Sequence, residues 1–555
     1  MTFAGATDTR SPSGGSAPLT RLAGEPWDVL VIGGGITGAG VAREAAMRGL
    51  RTALVEARDL AWGTSSRSSR LVHGGLRYLK QGRLGLVHES LRERRVLLAI
   101  APHLVRPMAF LFPVHRNARL PFWMLAAGML VYNALALFRN VRVHRMLGKR
   151  ALLRREPMLR EKDLAGGAIY WDAQCDDARL VVATARAAVA HGAAVATWTE
   201  VTGFLHAGRR ISGVQLRDRL TGETGTALAH TIINATGPWA DQLRRMENPA
   251  VDPLLRPTRG SHVLVERSRI GHRGAITLAS PVDGRVMFIL PWDEQLSYVG
   301  TTDTDTDEPP EDVAATEDDV VYLLRSVNAL FPNAHLTEAD VRATWYALRP
   351  LIAPGDGKAE SARSREHLVT EGSGGMITVV GGKLTTYRVM AQDAVNAAVT
   401  ALRERDGRPV PPEALTDLTP LPGGESAELG TIRSQGIELG LPLPTVRHLL
   451  RLYGTEAAAV FNLVREERFL SRAIHPEHPA IAAEVLHVAR RELARTVEDV
   501  LVRRIRLAWE TADGGTAAAA ETAALMAREL GWSAEETARR AGEYQPPGRL
   551  GAGYL

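Results

Sequence analysis

The sequence predicts an α/β fold in which a Rossmann-like domain is interleaved with an α+β domain and followed by a C-terminal helical domain. Three observations lead there. Residues 28–55 read as an apolar strand, a glycine turn, an Ala-rich helix and a second strand, which is the order of a βαβ unit. Two later apolar runs, 231–237 and 376–383, also end in glycine turns. A stretch bearing several prolines and glycines at 404–425 precedes amphipathic helices with Leu, Val and Ala at helical spacing, as expected of a linker and a helical unit.

Taken in order, residues 1–25 are rich in Ser, Gly, Thr and Ala without an apolar signal core, and are expected to form a disordered leader with no export signal. Residues 26–403 are expected to hold the two interleaved domains, the Rossmann-like parts being about 26–105, 180–245 and 365–403. Strands at 211–216 and 286–290 belong to the sheet-rich middle. The linker is assigned to 404–425, the helical domain to 426–542 and a tail to 543–555. One long apolar run, Pro121 to Phe138, is flanked by Arg116, Arg119, Arg139, Arg142, Arg145 and Lys149. Eighteen residues are the lower limit for a bilayer span. A buried or dimer-contact helix and an interfacial helix with basic flanks rank equally ahead of a span.

At 555 residues the chain has room for two to four domains. A 45% hydrophobic content with 23% charged residues excludes a disordered chain. The net charge of +5 is spread along the sequence, which favours a solvated surface with some affinity for anions over a nucleic-acid binder. Only five lysines stand among 67 basic residues, so each retained ammonium draws notice, Lys383 most of all. The single cysteine, Cys175, reads as a small buried residue; it excludes an intrachain disulfide and a multi-cysteine metal site and fits a reducing cytoplasm. No metal is expected.

The most specific motif is DVLVIGGGITG at 28–38, which puts Gly33, Gly35 and Gly38 at G-x-G-x-x-G spacing between strand and helix. The first glycine permits the tight turn, the second admits a pyrophosphate to the backbone, and the third lets helix pack on strand, while the helix N-terminus offers N–H groups to the anion. Glu56 ends the second strand, where a carboxylate can accept bonds from a ribose diol. FAD and NAD share this fingerprint. FAD is favoured by three further segments: the polar loop TSSRSSRLVHGGLRYL at 64–79, the strand ending in Ala-Thr-Gly at 231–240, and a strand, Gly-Gly turn and helix start at 377–394. A helix N-terminus beside the flavin pyrimidine edge would stabilise the negative charge of reduction. Expected cofactor contacts are Gly33, Gly35, Thr37, Gly38, Glu56 and Ala57 on the fingerprint, then Thr64, Ser65, Ser66, His73, Gly74 and Gly75 on the loop. Ala235, Thr236 and Gly237 follow on the third strand, and Gly382, Lys383, Leu384 and Thr385 on the last turn.

These segments resemble the FAD-dependent glycerol-3-phosphate dehydrogenase family, within the D-amino-acid-oxidase-like flavoproteins, from about residue 27 to 540. IGGGITGAGVAREAAMRG at 32–49 and GGKLTTYR at 381–388 carry it most specifically, with HGGLRYL at 73–79, DDARL at 176–180, NATGPW at 234–239, RGSHVLV at 259–265, VGTTDTD at 299–305 and ALRPL at 347–351 in support. Glu44 departs from the family, which usually has Asp there, but its place inside the first helix leaves the cofactor turn untouched. The resemblance implies a cytoplasmic enzyme peripheral to the inner face of the cell membrane. It would oxidise sn-glycerol 3-phosphate to dihydroxyacetone phosphate and pass electrons through FAD to quinone. It also implies that Arg77, Tyr78, His262, Arg349, Arg365 and Lys383 line the substrate pocket, Arg365 being the loosest match.

Oxidation of a secondary alcohol needs a base at the hydroxyl, a role suited to the imidazole of His262. A phosphate dianion needs charge-assisted donors, for which Arg349 and Arg365 serve as clamp with Arg77 and Tyr78 from the loop. Lys383, at a helix start, would act on an anion of flavin or substrate. Thr301, Thr302 and Asp303 either order the pocket wall or form a capping turn. The acidic stretch at 302–312 reads as an exposed loop rather than a cation site. An oxygen-using glycerophosphate oxidase, an amine or amino-acid oxidase and a flavin-holding scaffold remain as alternatives, and a homodimer is possible.

Overall fold

Strands that carry apolar residues on both faces demand cover on both sides, and the first strand, Trp27–Ile32, obtains it in the middle of a parallel sheet. Its neighbours are Thr52–Val55 on one side and Thr224–Asn234 on the other, and beyond them lie Ala194–Ala196 and Ile377–Gly381. The register pairs Ile32 with both Val55 and Asn234, and Asn234 with Thr378. The carboxyl ends of four strands therefore reach one edge, where open α/β sheets bind ligands. His367–Glu371 adds an antiparallel edge strand. The computed structural model describes residues 16–80, 82–116, 121–311, 313–353 and 366–548.

Helices Ile36–Met47, Asp177–Ala190 and Tyr387–Asp406 cover one face of this sheet through a shared apolar core. The first helix is buried almost all round: Gly40 admits the Tyr387 ring, and Glu44 is enclosed, paired to Arg48 at 2.7 Å and accepting the Thr416 hydroxyl at 2.8 Å. Glu44 thus ties helix to linker and stays away from the turn. Residues 16–25 correct the expectation of a disordered leader: Ala17 N–H donates to Val195 O at 2.8 Å, Leu19–Leu22 is helical, and Leu22 is fully buried. Two apolar anchors outweigh the flexible composition there. Residues 1–15 and 549–555 lie outside the described residues.

A second, mostly antiparallel sheet holds Thr258–Glu266 between Leu296–Gly300 and Val341–Arg349. It continues through Val286–Pro291, Ala275–Ala279, Val105–His115 and Leu164–Cys175. Cys175 is buried. The C-terminal part is mainly helical, with a two-stranded hairpin, Ala473–His475 and His478–Ile481, that the sequence reading did not anticipate. It shares one apolar core with the second sheet, including Trp292, Tyr298 and Trp345. Buried ion pairs join it to the first sheet: Arg503 and Arg504 both reach Asp59, and Arg179 reaches Glu492.

The apolar run forms the helix Phe122–Leu135. Leu125, Met129 and Tyr132 are buried, whereas Trp123, Leu130 and Val131 are exposed, as are Leu137 and Phe138 beyond the helix end. No helix among the described residues is long and apolar enough to cross a membrane.

Candidate active site

The strand ends open into a cavity of about 500 Å³ that runs from Gly33 to Gly382. At Gly33 φ is +112°, and a Cβ there would lie 2.7 Å from the Ala235 carbonyl oxygen, so only glycine makes this turn. A Cβ on Gly38 would overlap the Gly33 carbonyl, which lets the first helix begin directly behind the strand. Ile36 N–H, in the first turn of that helix, donates to Ser65 Oγ at 3.0 Å. Glu56 accepts from Gly34 N–H at 2.5 Å and Arg58 N–H at 2.8 Å. Burial pushes its carboxyl above the ordinary range, with those two N–H bonds pulling the other way.

Of the expected cofactor residues, Gly33, Gly35, Thr37, Glu56 and Ala57 line the cavity at the fingerprint, and Thr64, Ser65 and His73 line it along the loop. Ala235, Thr236 and Gly237 line it from the third strand, and Gly382, Lys383, Leu384 and Thr385 from the last turn. Gly38, Ser66, Gly74 and Gly75 do not. Gly38 packs on Gly33, Ser66 ends the short helical turn Thr64–Ser66, Gly74 N–H donates to Tyr132 OH at 3.0 Å, and Gly75 lies against the Tyr78 ring. The loop is held by buried acids: Asp177 accepts Ser68 N–H and Oγ–H, and Asp172 accepts Tyr132 OH at 2.7 Å while pairing with Arg94.

His262, Arg349, Tyr78 and Lys383 line the same cavity. His262 is buried, its Nε2 is 2.9 Å from Ser69 Oγ, and its Nδ1 has no hydrogen-bond partner among the described residues. Burial first, then Arg349 and Arg70, hold it down to about 3, so the ring is neutral near pH 7. Arg349 donates to Asp303 Oδ1 at 2.5 Å, Thr301 Oγ1 at 3.1 Å and Thr302 O at 3.0 Å, and Gly260 leaves room for it. Thr301, Thr302 and Asp303 thus stand behind the cavity lining and hold Arg349. Lys383 Nζ sits 3.9 Å from the centre of the Tyr78 ring and 3.2 Å from Ser90 Oγ. Arg77 lies in the helix Leu76–Lys80 of the loop, but its side chain and all of Arg365 lie outside the described residues.

The family described as "FAD dependent oxidoreductase" matches residues 28–388, and the "C-terminal domain of alpha-glycerophosphate oxidase" matches residues 414–537. The chain belongs to the FAD-dependent oxidoreductases, and within them to the glycerol-3-phosphate dehydrogenases. Glycerol-3-phosphate dehydrogenase 2 of Mycobacterium bovis is 39% identical over 94% of this chain and 88% of its own length. Aerobic glycerol-3-phosphate dehydrogenase of Staphylococcus haemolyticus is 34% identical over 87% of each. The structure of the Bacillus halodurans glycerol-3-phosphate dehydrogenase, complexed with FAD, is 31% identical, has a TM-score of 0.78 and is covered to 95%, as is this chain. FAD is the cofactor of this oxidoreductase family, and the cavity fits it: a glycine turn and helix N-terminus for pyrophosphate, a carboxylate for ribose, and a cationic far end for a flavin.

Several residues in or beside the cavity escaped the sequence reading. Ser69 lies in the polar loop but gave no sign that it would meet His262. Trp345 stacks on His262 with ring centres 5.0 Å apart and 7° between planes, yet its strand reads locally as ordinary core. Glu311, in the acidic loop read as exposed, accepts from Trp239 Nε1 at 2.5 Å and Gln242 Nε2 at 3.2 Å at the cavity rim.

Proposed function

We propose that this flavoprotein oxidises sn-glycerol 3-phosphate to dihydroxyacetone phosphate and hands the electrons to a quinone. The observation that carries the reading is the meeting of a neutral buried histidine, an oriented arginine and a lysine in the cavity that begins at the Gly33 turn. Bound FAD would supply the acceptor for the hydride lost from the substrate carbon. His262 accepts the hydroxyl proton, which a neutral imidazole is able to do. Arg349, aimed by Asp303 and Thr301, attracts the phosphate dianion, with Arg77, Tyr78 and Arg365 as further substrate contacts. Lys383 holds positive charge against the anion formed at the far end of the cavity, close to the N-terminal turn of Tyr387–Asp406. An amine without an anionic group would leave this anion-seeking set without its counterpart.

The exposed apolar face of Phe122–Leu135, flanked by Arg139, Arg142 and Arg145, supports peripheral attachment to the inner, anionic face of the cell membrane, where quinone is dissolved. Anaerobic addition of glycerol 3-phosphate is expected to bleach the flavin, whereas glycerol leaves it oxidised. Bleaching by an amino acid instead would overturn the substrate. Turnover that yields peroxide as fast as it reduces a quinone analogue would make the protein an oxidase.

A further inference from the structure

The C-terminal part of the chain reaches the reacting histidine through an indole. In the second sheet His262 stands opposite Gly300 on one neighbouring strand and Trp345 on the other. A Cβ at Gly300 would overlap the imidazole, so the glycine gives the ring its space while the indole fixes its plane. Trp345 is itself held from behind. Trp509, from the helix Leu507–Glu510 of the C-terminal part, meets it at 5.7 Å and 69°, and Trp292 at 5.8 Å and 65°. Trp292 is anchored in turn by Nε1 donating to Glu510 Oε1 at 2.9 Å. Edge-on contacts of this kind fix ring orientation.

We propose that Trp345 is the positioning residue of His262 and that Trp509 brings the C-terminal part into the reaction by holding that indole in place. This rests on His262 being the base. A flat indole does little for a neutral imidazole beyond packing, but once the ring takes a proton the π face opposes a positive charge. The surroundings otherwise disfavour that charge, since burial, Arg349 and Arg70 all act against it. Orientation counts as well, because a base misaimed by a fraction of an ångström loses rate steeply.

The test compares holoenzymes carrying Trp345→Leu, Trp345→Phe, Trp509→Leu and His262→Asn by anaerobic stopped-flow bleaching with glycerol 3-phosphate across pH, with flavin content and melting temperature as fold checks. Trp345→Leu and Trp509→Leu are expected to lower the limiting rate about tenfold while the substrate Kd moves less than about twofold. The loss is expected to be uniform between about pH 6 and 8, where His262 is neutral in every variant, so that it reports the aim of the ring and not its titration. Trp345→Phe, which keeps a ring face, is expected to restore most of the rate. A wild-type rate and profile in Trp345→Leu, or a phenylalanine variant as slow as the leucine one, overturns the proposal. Should Trp345→Leu fail to fold, Trp509→Leu decides, and an unchanged rate there overturns it. His262→Asn separates the two readings: wild-type bleaching in that variant removes the base itself, whereas slow bleaching there beside a normal Trp345→Leu removes only the positioning role.

Discussion

The two ends of the cavity are built from different materials. At the Gly33 end the lining is shaped chiefly by main chain and missing side chains, set by strand ends that share one edge of a parallel sheet. At the His262 end they are side chains brought together by cross-strand register in a second sheet, and braced by residues from the C-terminal part. A backbone-built site tolerates almost no change at a few positions. A side-chain-built site degrades step by step, because each group can be removed singly while the strands remain.

The largest effect is therefore expected from Gly38→Val, whose side chain has no room beside the Gly33 carbonyl. Purified variant is expected to be colourless, and a normal ratio of flavin to protein absorbance would contradict the backbone account of that end. Arg349→Met comes next. Loss of the proposed charge-assisted phosphate contact is expected to raise KM for glycerol 3-phosphate on the order of a hundredfold. Flavin content should stay normal, and a drop in flavin instead of affinity would blur the distinction between the ends.

Acid stability gives a third, smaller effect. Burial comes first among the causes that hold His262 and His103 down to about 3 and His272 and His487 to about 4. The unfolded chain thus binds protons that the native one refuses, so stability rises with pH between about 4 and 6.5 and is lost on acidification through that window. One such histidine contributes about 2 kcal/mol of loss at pH 5. A melting temperature that stays flat from pH 7 to 4.5 would show that these rings are protonated in the folded state. The smallest effect on the fold is expected from Trp123→Ser with Leu130→Ser, both exposed. Melting is expected to change by no more than about 0.5 kcal/mol equivalent, while flotation with anionic vesicles falls. Gel filtration of the wild type tests whether a second copy covers that face instead.

The same contrast explains what was legible in the sequence. A tight turn, a helix start on an anion and a carboxylate at a strand end each demand particular residue types at fixed spacing, so Gly33, Gly35 and Glu56 stand out in a short window. The α/β class follows from the same periodicity. The wall around His262 depends on pairing residues 262, 300 and 345, which no local window contains. Arg349 was reached through resemblance and Lys383 through resemblance and the scarcity of lysine, while Ser69 and Trp345 were not reached as partners of His262. Residues 16–25 were misjudged because composition weighs every residue equally, whereas burial of Ala17 and Leu22 settles their position. The hairpin around His475 and His478 was lost among signals for helix.

Asp59 lies three residues beyond Glu56 and is neutralised by Arg503 and Arg504, the latter 445 positions later in the chain. A growing polypeptide emerging from the ribosome thus carries this carboxylate long before its cations exist. The segment just after the second strand gains these two partners only when synthesis is nearly finished. A product truncated anywhere before residue 503 lacks both cations that meet Asp59 in the folded chain.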